Sequence, residues 1–170
     1  MATDPDDYSR GPVRCSDAPG LPRGARQSLA ALAGGCLCGA IRYEIARVFD
    51  VMYCHCSRCR KGTGGAVVAC AYVEANDFQL IRGRPKIYVS SPEGNRCFCG
   101  ECGSPLYFEG RGGRYYSVHV GTLDDPERVP PRIHQCVEAT LSWLRLTDDL
   151  PRVVGNTLPH PDARGGPSSA

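Results

Sequence analysis

The sequence lacks several features that would assign it to a familiar class of protein. No stretch approaches the roughly 18 consecutive apolar residues that a membrane-spanning helix needs. The longest early apolar run, residues 29–33, is shorter than a signal-peptide core of about 7 to 15 residues. Net charge is only +2, because 20 basic residues face 18 acidic ones. These absences predict a cytoplasmic protein without a membrane span and without a nucleic-acid partner bound by bulk charge.

The length of 170 residues suits one domain. Residues 1–32 and 151–170 show little hydrophobic periodicity, so they are predicted to be flexible extensions. Within the first of them, residues 27–33 could form a turn of helix. The domain itself is predicted to span residues 33–150.

Short apolar segments separated by glycine and proline predict strands within this domain. Residues 78–81 and 86–90, with a turn at residues 82–85 between them, predict a hairpin. The other predicted strands are residues 40–45, 66–72, 95–99, 106–109 and 115–120. Since no segment has a sustained helical pattern, the predicted fold is mostly β, with short antiparallel strands and minor helical turns.

Cysteine is the strongest signal in the sequence, with 11 residues. The odd number and the absence of a secretory signal argue against a disulfide framework. Eight of them fall into three short groups, a spacing that is typical of zinc sites. The groups are Cys36/Cys38, Cys54/Cys56/Cys59 and Cys97/Cys99/Cys102.

Two of these groups predict one closed zinc site. Cys99 and Cys102 are separated by two residues and followed by glycine, which is the usual zinc knuckle. Cys36 and Cys38 have only one residue between them and need a tight turn to bind one metal, because alternate residues of a regular strand lie about 6–7 Å apart. Together the four thiols predict a structural Cys₄ zinc site; the alternative is that they are buried free thiols.

Cys54, Cys56 and Cys59 predict a second, open site. Three thiols without a fourth cysteine nearby leave one zinc position free, as in catalytic sites. His55 lies between two of these thiols and is a candidate catalytic residue, although a hydrogen-bonded or surface histidine is an equally good interpretation.

Three basic residues follow this cluster closely, namely Arg58, Arg60 and Lys61. They are candidates for lowering the pKa of the thiols or for binding substrate carboxylates. The alternative for each of them is a solvated position on a basic loop.

The remaining cysteines carry weaker signals. Cys15 lies in the predicted extension and Cys70 in an apolar run that favours a core position. Cys97 competes with Cys99 for the ligand role, but only Cys99 has knuckle spacing to Cys102. Cys136 is a candidate neighbour of the open site only because it lies near His134.

Four motifs in this order resemble the glutathione-dependent formaldehyde-activating enzyme family, which also includes centromere protein V-like domains. The resemblance covers about residues 33–145. The motifs are Gly34-Gly-Cys-Leu-Cys-Gly-Ala-Ile-Arg-Tyr43, Cys54-His-Cys-Ser-Arg-Cys-Arg60, Phe98-Cys-Gly-Glu-Cys-Gly103 and Gly121-Thr-Leu-Asp-Asp-Pro126.

The resemblance implies a zinc-stapled β-tent fold with two zinc ions per chain. One would be structural, at Cys36, Cys38, Cys99 and Cys102, and one catalytic, at Cys54, Cys56 and Cys59. It also implies a carbon–sulfur lyase-type reaction that joins glutathione and formaldehyde into S-(hydroxymethyl)glutathione. The thiol itself stays open, because fold similarity does not fix the substrate. The alternative function is a non-catalytic, zinc-stabilised binding module.

Overall fold

The computed structural model describes residues 27–156, which contain eleven strands and one α-helix. Helix α1 spans Ser57–Thr63. The strands are β1 (Gln27–Gly35), β2 (Arg42–Val48), β3 (Asp50–Cys54), β4 (Val68–Glu74), β5 (Phe78–Arg82), β6 (Lys86–Ser91), β7 (Gly94–Phe98), β8 (Pro105–Gly110), β9 (Tyr115–His119), β10 (His134–Gln135) and β11 (Arg152–Val153). The prediction of a mostly β fold is confirmed.

The strands form two sheets. A three-stranded antiparallel sheet has the order β1-β2-β5, and an eight-stranded sheet has the order β11-β10-β3-β4-β9-β8-β7-β6. Strand β10 pairs in parallel with both β3 and β11, whereas the other pairs are antiparallel. The C-terminal segment therefore lies beside the strand that ends at Cys54.

The core joins the two sheets. In β2, Tyr43 and Ile45 are fully buried while Glu44 between them is exposed, which is the alternation of a half-buried strand. The ring of Tyr43 stacks on Phe78 with centroids 5.3 Å apart, and Phe78 stacks on Tyr116 at 4.5 Å. Each large apolar side chain buried here stabilises the fold by about 1.5–3 kcal/mol.

The hairpin predicted for residues 78–90 is wrong. Strand β5 pairs with β2 in the small sheet, whereas β6 pairs with β7 in the large one. The connection contains Gly83, with φ of 71°, and Pro85, which has no backbone N–H to donate. These residues carry the chain from one sheet to the other instead of turning it back.

Ordered pairing begins earlier and ends later than the predicted domain. Residues 27–33 lie in strand β1, not in a turn of helix, because they pair with β2. Strand β11 lies just beyond residue 150 and pairs with β10. Residues 1–26, which include Cys15, and residues 157–170 lie outside the described residues.

Candidate metal centres

The first thiol cluster joins two turns that are distant in sequence. Cys36 and Cys38 follow β1, and Cys99 and Cys102 follow β7. The Sγ atoms of Cys36 and Cys38 are 3.5 Å apart, and those of Cys38 and Cys99 are 3.8 Å apart. All four thiols lie within 4.8 Å of one another. Since tetrahedral zinc with bonds of about 2.3 Å holds its thiolates about 3.8 Å apart, this donor set fits zinc.

Each turn is closed by a hydrogen bond from a glycine N–H to the carbonyl of the first cysteine. The N–H of Gly39 donates to the carbonyl of Cys36, and the N–H of Gly103 donates to that of Cys99, each at 3.0 Å. Gly39 and Gly103 have φ values of 74° and 75°, which side-chain-bearing residues rarely adopt. The tight turn thus brings together two cysteines that a regular strand would separate.

Ser104 links the two turns. Its Oγ accepts from the N–H of Leu37 at 3.1 Å and lies 3.2 Å from the Sγ of Cys102. The hydrogen bond from Ser104 is the main cause that lowers the pKa of the Cys102 thiol to about 5. Ser104 therefore favours the metal-binding thiolate, a role that no sequence motif indicated.

The second cluster is built at the junction between β3 and α1. Cys54 ends the strand, Cys56 is the N-cap of the helix, and Cys59 lies in its first turn. The Sγ of Cys56 accepts a hydrogen bond from the N–H of Cys59 at 3.2 Å. The three thiols lie within 4.8 Å of one another. The helix, which the sequence did not predict, is what brings Cys59 back to the other two.

Cys56 is the thiol of this cluster whose pKa its neighbours lower. Hydrogen bonds from Cys136 and then from Cys54 hold the pKa of the Cys56 thiol well below its ordinary value. The contact with Cys136, followed by the contact with Cys56, raises the pKa of Cys54. The contact with Cys54 raises the pKa of Cys59. Three thiol sulfurs this close together form a donor set that suits a soft metal ion such as zinc.

His55 is tied to the C-terminal segment. Its Nε2 lies 2.9 Å from Nδ1 of His134, whose Nε2 lies 2.9 Å from Oδ1 of Asp148. Because the Asp148 carboxylate accepts, His134 carries its proton on Nε2 and accepts from His55 with Nδ1. The buried Nδ1 of His55 is then an unprotonated acceptor without a hydrogen-bond partner. Burial, followed by the neighbouring His134, lowers the pKa of His55.

The three basic residues near the cluster have different positions. Arg60 donates through Nη1 to the carbonyl of His55 at 3.0 Å and to that of Ala139 at 2.6 Å. It thereby fixes the backbone between two cluster cysteines. Arg58 and Lys61 are exposed on α1.

Two further cysteines lie in the core. Burial raises the pKa of Cys70, in β4, to about 12 and that of Cys97, in β7, to about 11. Neither belongs to a thiol cluster, and it is Cys99, not Cys97, that joins Cys102. Among residues 27–156, no helix is long and apolar enough to cross a membrane.

The fold and its two thiol clusters define a small β protein with two potential metal centres. A family model described as "Glutathione-dependent formaldehyde-activating enzyme" matches residues 31–139. The chain belongs to this family.

The chain is similar to a curated protein and to a protein of known structure. A protein of Halomonas elongata, provisionally named as a glutathione-dependent formaldehyde-activating enzyme, is 31% identical over 127 residues, which are 68% of this chain and 80% of the relative. The crystal structure of a Rhodobacter sphaeroides protein is similar over 71% of this chain and 99% of that one, with 23% identity and a TM-score of 0.45.

Proposed function

We propose that the protein is a zinc-dependent enzyme of the carbon–sulfur lyase type that acts on adducts of a thiol and a carbonyl compound. The family description names glutathione and formaldehyde, and the adduct that these two compounds form is S-(hydroxymethyl)glutathione. In this addition the S–H bond breaks, a C–S bond forms, and the proton passes to the former carbonyl oxygen. The cluster of Cys54, Cys56 and Cys59 is the observation that carries the proposal.

The two clusters are proposed to hold one zinc ion each, with different roles. Four thiolates at the first leave no open position, so that ion is structural. A zinc ion at the second would supply Lewis acidity and a position for a soft sulfur donor. Three thiolates give that group a net charge near −1, which favours sulfur exchange over the activation of water.

His55 is proposed to transfer the proton of the incoming thiol. Its Nδ1 has an available lone pair, and the hydrogen bonds through His134 to Asp148 fix the tautomer that leaves this lone pair free. Arg60 positions His55 by binding its carbonyl oxygen.

Arg58 and Lys61 are proposed to attract an anionic thiol to the exposed side of α1. A thiol with carboxylate groups fits this charge. A reducing compartment such as the cytoplasm would keep the eleven cysteines available for metal binding.

The test combines metal analysis with a panel of thiols and aldehydes. Purified full-length protein should contain two zinc ions per chain, and the spectrum of one metal site should change when thiol is added to cobalt-substituted protein. It should accelerate adduct formation with at least one thiol, glutathione or another. A single zinc ion, or a second one indifferent to every thiol tried, would contradict the proposal.

One observation favours a non-catalytic, zinc-stabilised binding module as the second candidate. The thiol of Cys136 contacts those of Cys54 and Cys56, so a fourth protein ligand is available to close the site permanently. A second zinc ion that is retained but unaffected by any thiol would favour this candidate.

A further inference from the structure

Cys136 brings a fourth thiol to the second cluster. It directly follows β10, where Gln135 lies opposite Cys54 in the parallel pairing with β3. Its thiol interacts with those of Cys54 and Cys56, and the residue is only 9% exposed. The contact joins segments about 80 positions apart, so its cause is the tertiary fold rather than local sequence.

The backbone of Cys136 is held in an unusual conformation. With φ of 57° and ψ of 41°, it is the one non-glycine residue with positive φ between residues 27 and 156. Its N–H donates to the carbonyl of Gly155 at 2.8 Å, and its carbonyl accepts from Ala139 at 3.0 Å. Glycine or asparagine suits such a position better than cysteine, unless the thiol itself is needed there.

No other described side chain near the cluster is as well placed to be a ligand. His55 is bonded to His134, and Cys70 is hydrogen-bonded to Ser117. Cys136 contacts two of the three clustered thiols but does not complete a set of four within 4.8 Å of one another. A metal ion that requires four donors would draw this thiol inward.

We propose that Cys136 is the fourth ligand of the second metal centre and that an incoming thiol displaces it. The proposal rests on the proposed function for the presence of zinc at this cluster. In the exchange, His55 passes the proton of the substrate thiol to the Cys136 thiolate, and the substrate sulfur takes the place of Cys136 as ligand. The charge of the site is therefore unchanged, and nothing is oxidised or reduced. The centre is closed at rest and open only to a competing thiol.

The first experiment measures protection of Cys136 in the full-length protein. Metal-free and zinc-loaded samples are treated with iodoacetamide, and modification is followed at each cysteine by mass spectrometry. Two equivalents of zinc should slow modification of Cys136 at least tenfold. Glutathione, or the most effective thiol of the panel, should then restore modification of Cys136 but not of Cys54. If Cys136 stays protected with every thiol tried, the proposal that an incoming thiol displaces it is wrong.

The second experiment uses Cys136→Gly, which removes the thiol and suits the left-handed backbone. The affinity for the second zinc should fall at least tenfold, measured by competition with a chelator. In cobalt-loaded protein, the thiolate-to-metal charge-transfer intensity of that site should fall by about one quarter, since three thiolates replace four. The matched control is Cys70→Ala, a buried thiol nearby, which should change neither value. Unchanged affinity and intensity in Cys136→Gly, with equal alkylation rates in the first experiment, would overturn the proposal.

Failure of this inference can be distinguished from failure of the proposed function. A protein that protects Cys136 with zinc but accelerates no thiol–aldehyde reaction would contradict only the function. A protein that catalyses the reaction while Cys136 stays unprotected and its variant keeps full affinity would contradict only the ligand role. A protein that binds a single zinc ion would contradict both.

Discussion

The two thiol clusters differ in how their members are distributed along the chain. Cys38 and Cys99 of the first are 61 positions apart and follow strands of different sheets, so that cluster cross-links the two sheets. The thiols of Cys54, Cys56 and Cys59 come from one strand–helix junction. A link across a long loop restricts the unfolded chain more than a local one does. We therefore expect the first cluster to serve stability and the second to tolerate a change of ligand while the fold persists.

The clusters also differ in their neighbours. The first is surrounded by fixed donors, the N–H of Ile41 and the hydroxyl of Ser104. The second adjoins groups that can exchange protons or ligands, namely His55 and Cys136. This difference fits the proposal that the first centre is structural and the second takes part in the reaction.

The largest effect is expected from Cys99→Ser, which removes one ligand of the cross-link. Structural zinc contributes directly to folding, by about 10–16 kcal/mol in zinc-finger peptides, so the variant should be unfolded or insoluble at 25 °C. Circular dichroism and metal analysis measure this. The control is Cys97→Ala, a buried thiol two positions earlier, which should cost only about 1–2 kcal/mol. A Cys99→Ser protein with unchanged melting temperature and zinc content would remove the distinction between the clusters.

Cys56→Ser should abolish activity while the fold persists. Serine is a good N-cap, so the hydrogen bond to the N–H of Cys59 is retained and the free energy of unfolding should change by less than about 1 kcal/mol. Zinc content should fall from two ions to one, and activity to background. The control protein, Cys70→Ala, should keep both zinc ions and its activity. Loss of both zinc ions in Cys56→Ser would show that the second cluster also supports the fold.

Ser104→Ala should change the pH dependence of the first cluster. Ser104 lowers the pKa of Cys102, so it keeps this thiolate available to metal at lower pH. Without the hydroxyl the pKa rises towards 9, and zinc should be released at a pH higher by roughly 0.5–1 unit. A zinc indicator in an acid titration measures the release. The control is Ser117→Ala, which removes a hydroxyl beside Cys70, a cysteine outside both clusters. It should not change the pH at which zinc is released.

Arg58→Ala and Lys61→Ala should weaken the binding of an anionic thiol only modestly. Both residues are exposed, so salt screens their charges and KM should rise about two- to fivefold with kcat unchanged. The effect should vanish at 1 M salt. A neutral thiol such as 2-mercaptoethanol serves as the control, and an equal KM increase with it would argue for a structural role.

The smallest effect is expected from trimming the chain to residues 27–156. We propose these bounds for the domain because they keep all the strands of the described part of the chain, from β1 to β11. Zinc stoichiometry and melting temperature should stay within error of the full chain. A loss of either would place part of the domain in the removed segments.

Sequence alone predicts the parts of the fold that depend on local patterning. The alternation around Tyr43 and Ile45 predicts β2, and the apolar run at residues 66–72 predicts most of β4. The hairpin predicted at residues 78–90 is wrong because its pairing depends on distant contacts and not on local pattern. Which sheet a strand joins depends on partners far along the chain, and a turn sequence such as residues 82–85 does not show them.

The same reasoning applies to the candidate sites. The spacing of the cysteines predicts both clusters, because ligands of one metal ion often lie close in sequence. The hydrogen bonds from His55 through His134 to Asp148, and the contact of Cys136 with Cys54, depend on the pairing of β3 with β10. Strand β10 has only two residues, too few for any periodic signal.

The late position of β10 and β11 sets the order in which the centres can be completed during synthesis. All thiols of the first cluster have been added by residue 102, whereas the carbonyl that holds Cys136 belongs to Gly155. At about 5–20 residues per second, the ribosome needs roughly 3–10 s to cover this distance. During that time Cys136 is not yet held in place, and we expect the thiols of the second cluster to be open to competing metals, oxidants and small thiols. The centre proposed to carry the chemistry is therefore the part of the nascent protein that is most sensitive to the redox state and zinc supply of its surroundings.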